Sequence, residues 1–174
     1  MRHFPSLMKR LHAIPFEYAD GDGIDFYPEA DFLSEEETSE WFHPWTGNDQ
    51  ADSSLYLIFG ADGTGGMAAF WEVRESEDLL DQPIVFFGSE GEVGVVASNF
   101  KGYLRLLANG IGPFEAIAYK GLERPIHPDL ERFALEQGVD LEQPAWSVVE
   151  AARAEFPSFE SDILAICDLN LGNT

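Results

Sequence analysis

The 174-residue sequence predicts an α+β fold: a single domain whose central antiparallel sheet, of about four or more strands, has N- and C-terminal helices packed against it. Two observations point there. Apolar residues recur at helical spacing in the first forty-five residues, give way to short apolar runs between 54 and 97, and return to helical spacing from 98 onward. Hydrophobic residues make up 45% and aromatics 13% of the chain, which is ample for one core. The chain divides on this reading into an acidic helical front (1–53), a β-meander (54–97) and a helical C-terminal part (98–174).

Each element has a local reason. Leu7, Leu11 and Ile14 share one helical face, and Pro15 ends that helix. Asp20-Gly21-Asp22-Gly23 reads as a turn or loop. Ser34 followed by Glu35-Glu36-Glu37 is a capping-box pattern, and three glutamates suit the positive end of the helix dipole. That helix is expected to run to about Phe42 and stop before His43-Pro44. Ser54 to Gly60 and Gly66 to Val73 then form a hairpin around Ala61-Asp62-Gly63-Thr64-Gly65. Pro83 to Gly88 and Val93 to Ala97 form a second pair around Ser89-Glu90-Gly91-Glu92, with Pro83 where a strand tolerates proline.

Helices follow. Ser98 serves as N-cap for a helix whose Phe100, Tyr103, Leu104 and Leu107 fall on one face, and Gly110 sits at its left-handed terminus. A second helix starts at His127-Pro128 and closes at Gly138. Pro144 to Phe156 repeats the pattern, stopped by Pro157. Either Ser158 or Ser161 starts a last helix through Leu169.

Charge narrows the function classes. The chain has 32 acidic residues against 10 lysines and arginines, a formal net charge of −22. Residues 11 to 73 hold fourteen of those acids and not one Lys or Arg. Such a field repels nucleic acid, the acidic membrane leaflet and phosphorylated substrates, and it attracts cations or a basic protein. The competing reading is a solvated face that keeps the protein in solution. The single cysteine, Cys167, excludes an internal disulfide framework and a cysteine-based zinc site. No basic segment followed by an apolar one opens the chain, and no apolar run approaches a membrane span, so a soluble cytoplasmic protein is expected.

No catalytic constellation stands up, and neither a metal nor a cofactor is expected. His3, His12, His43 and His127 are scattered, without metal-ligand spacing to another His or Cys. The glycines from Gly60 to Gly66 lack the lysine and helix start that a phosphate cradle needs, so a hairpin turn is the better reading. Asp20-Gly21-Asp22-Gly23-Ile24-Asp25 departs from a calcium loop by carrying Asp25 in place of the required glycine and the apolar Ile24 before it.

Candidate partner contacts are the acids Asp22, Asp25, Glu35, Glu36, Glu37 and Glu40, with Trp41 and Trp45 beside them. Two placements are open for the tryptophans. Four apart on a helix, they form an aromatic anchor within an acidic rim, as a binding hot spot would. Alternatively both indoles pack inward, the commoner outcome for such a helix.

Residues 55 to 108 carry a more specific signal. LYLIFGADGTGGMAAFW and then PIVFFGSEGEVGVVASNFKGYLRLLANGIGP resemble the SUKH superfamily, bacterial immunity proteins that also include cell-wall assembly regulators. The hairpin features fall on Gly60, Gly66 and Trp71. The strand and its glycine-rich turn fall on Pro83, Gly88, Glu90 and Gly91, and the helix entry on Ala97, Ser98, Phe100 and Leu104. The match covers about a third of the chain, leaving out the acidic front and the last sixty residues. The resemblance implies an α+β domain without catalytic residues, commonly one that binds and neutralises a toxin. Combined with the charge, it leads to the expectation of an immunity protein for a basic, nuclease-type toxin. The alternative is a regulatory or scaffolding domain of the same superfamily with no toxin partner.

Overall fold

The computed structural model describes residues 2–168. It is an α+β domain with a five-stranded antiparallel meander, β1 (Tyr27–Pro28), β2 (Tyr56–Ala61), β3 (Met67–Trp71), β4 (Ile84–Phe87) and β5 (Val93–Ala97), paired in chain order. Helices flank it: α1 (Ser6–His12), α2 (Glu35–Thr46), α3 (Phe100–Ala108), α4 (Pro113–Ala118), α5 (Pro128–Glu136), α6 (Trp146–Glu155) and α7 (Phe159–Asp168).

Both faces of the sheet are covered, which is why β4 and β5 read as unbroken apolar runs rather than alternating ones. One face presents Phe59, Phe70, Ile84 and Phe86 to Met8 and Leu11 of α1, to Tyr103 and Leu107 of α3, and to Leu130 of α5. The other presents Ile58, Val85, Phe87 and Val95 to Phe42 of α2, Ala152 of α6, and Phe159 and Ile163 of α7. Helix α6 packs along β5, so that strand is not left as an open edge.

The central hairpin forms as its turn chemistry predicts. Asp62 Oδ1 accepts hydrogen bonds from the Thr64 and Gly66 amides at 2.8 and 2.9 Å, and Gly65 takes φ 94°. Register slips between Ile58 and Gly60, opposite Ala69 and Ala68. A β-carbon at Gly60 would collide with the Phe26 ring, so only glycine lets β1 close on β2.

The structure departs from expectation at several points. Strand β1 was not predicted, because two residues are too short to show a period. Helix α2 does not stop at Phe42; it carries Pro44 inside it and ends one turn later at Gly47, where φ is 64°. Tertiary packing overrides the proline: Trp45 is seated against the sheet, and Thr46 Oγ1 donates to the Phe42 carbonyl at 2.9 Å. The N-cap of α3 is Asn99 rather than Ser98, with Asn99 Oδ1 accepting from the Gly102 amide at 2.9 Å. Ser98 instead offers its carbonyl to Arg74 Nη1 at 2.6 Å. Helix α4 was not predicted either, since six residues are too few to show a helical period. The last helix begins after Ser158, not Ser161, and its expected end at Leu169 lies outside the described residues.

Candidate functional site

The acidic face of α2 is built from its cap outward. The Ser34 amide and hydroxyl both donate to Glu37 Oε2, at 2.8 and 2.9 Å, and the Glu37 amide returns a bond to Ser34 Oγ at 3.2 Å. Those bonds from Ser34 hold the Glu37 carboxyl below the usual glutamate range. Glu35, Glu36, Glu37 and Glu40 are all exposed. Among the described residues the ion pairs are Arg2 with Glu72, Arg10 with Glu136, Arg74 with Glu155 and Arg132 with Asp129, so none reaches these four glutamates.

Beside the start of α2 lies a cleft of about 490 Å³. Glu35 and Glu37 line it together with Asp31, Asp52 and Glu72, over a floor that includes Leu33, Tyr56 and Leu57. Burial, then the charges of Asp52 and Asp162, push the Tyr56 hydroxyl well above its ordinary pKa. Arg2 enters the cleft wall paired with Glu72. Asp31 lies just before the cap of α2, but Asp52, Glu72 and Arg2 come from separate segments, so no local sequence pattern could have joined those three to the helix.

Trp41 and Trp45 occupy the opposite, sheet-facing side of the helix. Their rings stack at 5.8 Å and meet the Phe87 ring at 5.9 and 5.2 Å, and Trp45 Nε1 donates to the Gly88 carbonyl at 2.8 Å. Both are half-buried and packed inward rather than standing out as a free aromatic anchor.

Asp22 and Asp25 are not gathered with the glutamates of α2. Asp22 is exposed after the 3₁₀ turn at Ala19–Gly21, and Asp25 lines a second cavity that shares no residue with the α2 cleft. Asp25 Oδ1 accepts from the Gly63 amide at 2.8 Å, tying the loop to the tip of the β2–β3 hairpin. This cavity, about 390 Å³, is also lined by Tyr18, Phe114, Glu115, Tyr119 and Arg124. Glu115 is buried, and its Oε1 accepts from the Asp25 amide at 2.8 Å. Burial pushes its carboxyl above the ordinary range, against the bonds from Asp25 and its own amide and the charge of Arg124.

The other residues of the sequence pattern lie in turns and core. Gly66 sits at the hairpin, Trp71 packs on Phe156 and Phe159, and Phe100, the first residue of α3, is buried in the core. Gly88, Glu90 and Gly91 form the β4–β5 turn, with Gly91 at φ 90°. Among the described residues no group of three His, Cys, Asp or Glu is placed to hold a metal ion, and no helix is long and apolar enough to cross a membrane. No family model matches the chain, and no curated protein or solved structure matches it.

Proposed function

We propose that the protein is a non-catalytic, cytoplasmic binding domain of SUKH type, an immunity protein that neutralises a basic nuclease-type toxin through the acidic side of α2 and the adjoining cleft. The observation that carries this reading is the set Glu35, Glu36, Glu37 and Glu40: exposed, adjacent on one helix, and without a cation partner among the described residues. Like charges at i and i+4, as at Glu36 and Glu40, cost stability, and a basic partner would offset that cost. A nuclease must present a basic surface to hold phosphates, so an acidic inhibitor would meet it quickly and with complementary charge.

The test is affinity capture from the native cell at low salt, with elution by rising salt. A basic protein that elutes early in the gradient, and whose toxicity co-expression suppresses, is the expected result. Recovery of no basic protein, or of one whose retention ignores salt, overturns the reading.

A further inference from the structure

The cavity between the 18–25 loop, the β2–β3 hairpin tip and α4 has a feature that the α2 cleft lacks. Glu115 is only 2% exposed, and one of its oxygens, Oε2, has no hydrogen-bond partner among the described residues. A buried carboxyl oxygen without a donor carries a desolvation cost that a native structure offsets somewhere. Asp25 stands beside it with one oxygen engaged by Gly63. Arg124, the cavity's one basic side chain, directs Nη1 to the Gly23 carbonyl at 2.7 Å and makes no ion pair with either acid. The lining thus holds two carboxyls against one cation. Tyr18 and Tyr119, which also line it, are 55% and 52% exposed, and the Tyr119 ring is held edge-on against Phe114 at 5.5 Å.

We infer that this cavity is a binding site for one guanidinium group, anchored by Glu115 and Asp25 and flanked by the rings of Tyr18 and Tyr119. A guanidinium offers planar, charge-assisted donors to carboxylate oxygens and stacks on aromatic faces. It is also more weakly hydrated than an ammonium, which suits a site whose anchor is buried. The group can arrive on an arginine side chain of a protein or on a free alkylguanidine. The site is separate from α2 and stands independently of the reading above.

Calorimetric titration with N-acetyl-arginine amide, agmatine and N-acetyl-lysine amide tests it. Saturable binding of a guanidinium probe in preference to the lysine probe is expected. Tighter binding of the arginine amide assigns a protein source, and tighter binding of agmatine assigns a free one. Glu115→Gln and Tyr119→Ala should each weaken binding about tenfold. If Glu115→Gln fails to fold, Asp25→Asn, which keeps the acceptor for Gly63, replaces it. A variant with all four α2 glutamates changed to glutamine should bind the probe as the wild type does, which separates this site from the α2 face. No saturable binding by the wild type, or unchanged affinity in the folded variants, overturns the inference.

Discussion

The backbone amide of Asp25 donates a 2.8 Å hydrogen bond to Oε1 of Glu115, joining residues ninety positions apart. That bond fixes the loop before β1 against α4 and leaves Glu115 as a carboxyl buried at the base of a cavity. Its consequence is a pH dependence of known sign. Because the folded-state pKa is raised, the native chain holds a proton that the unfolded chain has already lost. Stability from this group is therefore present at low pH and lost as pH rises through the ordinary glutamate range to the raised value. Glu115→Gln should flatten that loss, and urea midpoints measured from pH 4 to 8 would show it.

His12 acts in the opposite direction. Its Nδ1 is 2.7 Å from the Glu29 carbonyl, which makes Nδ1–H the donor, and Nε2 is buried without a partner among the described residues. Burial lowers its pKa, against the Glu29 bond that raises it. The unfolded chain then takes up a proton before the native one does, so stability falls as pH drops below the ordinary histidine value. Following the His12 ring by NMR should give a midpoint on the acid side of 6.5, the unperturbed value.

Pro44 lies inside α2, where it removes a backbone donor and crowds the preceding turn. Pro44→Ala should stabilise the domain by roughly 1–3 kcal/mol, less the part returned through a more flexible unfolded chain. Thermal unfolding checks this, and an unchanged or lower midpoint would mean that Pro44 is needed to seat Trp45.

Gly60→Ala is expected to destabilise by about 1–3 kcal/mol, since the added methyl meets the Phe26 ring and neither β1 nor β2 can yield without breaking register. A shift of the urea midpoint with little change in slope would be the signature.

Replacing Glu35, Glu36, Glu37 and Glu40 by glutamine should leave the fold intact, because glutamine at 37 can still close the capping box. Stability should stay level or rise slightly, as the repulsion between Glu36 and Glu40 is removed. Association with a captured basic partner should slow and lose much of its salt dependence. Wild-type association rates at low salt would place the interface elsewhere.

Much of the fold was legible because its causes are local. Ser34 and Glu37 are three residues apart, and the cap they form needs nothing else from the chain. The four longer strands announce themselves by apolar runs, and Gly110 and Gly138 mark helix ends at φ 73° and 74°. What was missed depends on partners far along the sequence. Helix α2 continues past Pro44 because Trp45 finds Phe87 and the Gly88 carbonyl. Asn99 caps α3 while the neighbouring Ser98 carbonyl is taken by Arg74.

The candidate sites divide the same way. The sequence by itself determined that α2 would carry clustered glutamates at its first turn, since helix spacing and dipole depend only on neighbours. Only the tertiary structure decided that Trp41 and Trp45 turn to the sheet, that Asp25 parts from those glutamates, and that Asp52 and Glu72 join them. Burial of Glu115 was decided there too. A carboxyl's environment is set by whatever folds over it, and in this chain that cover includes residues from the opposite end of a ninety-residue separation.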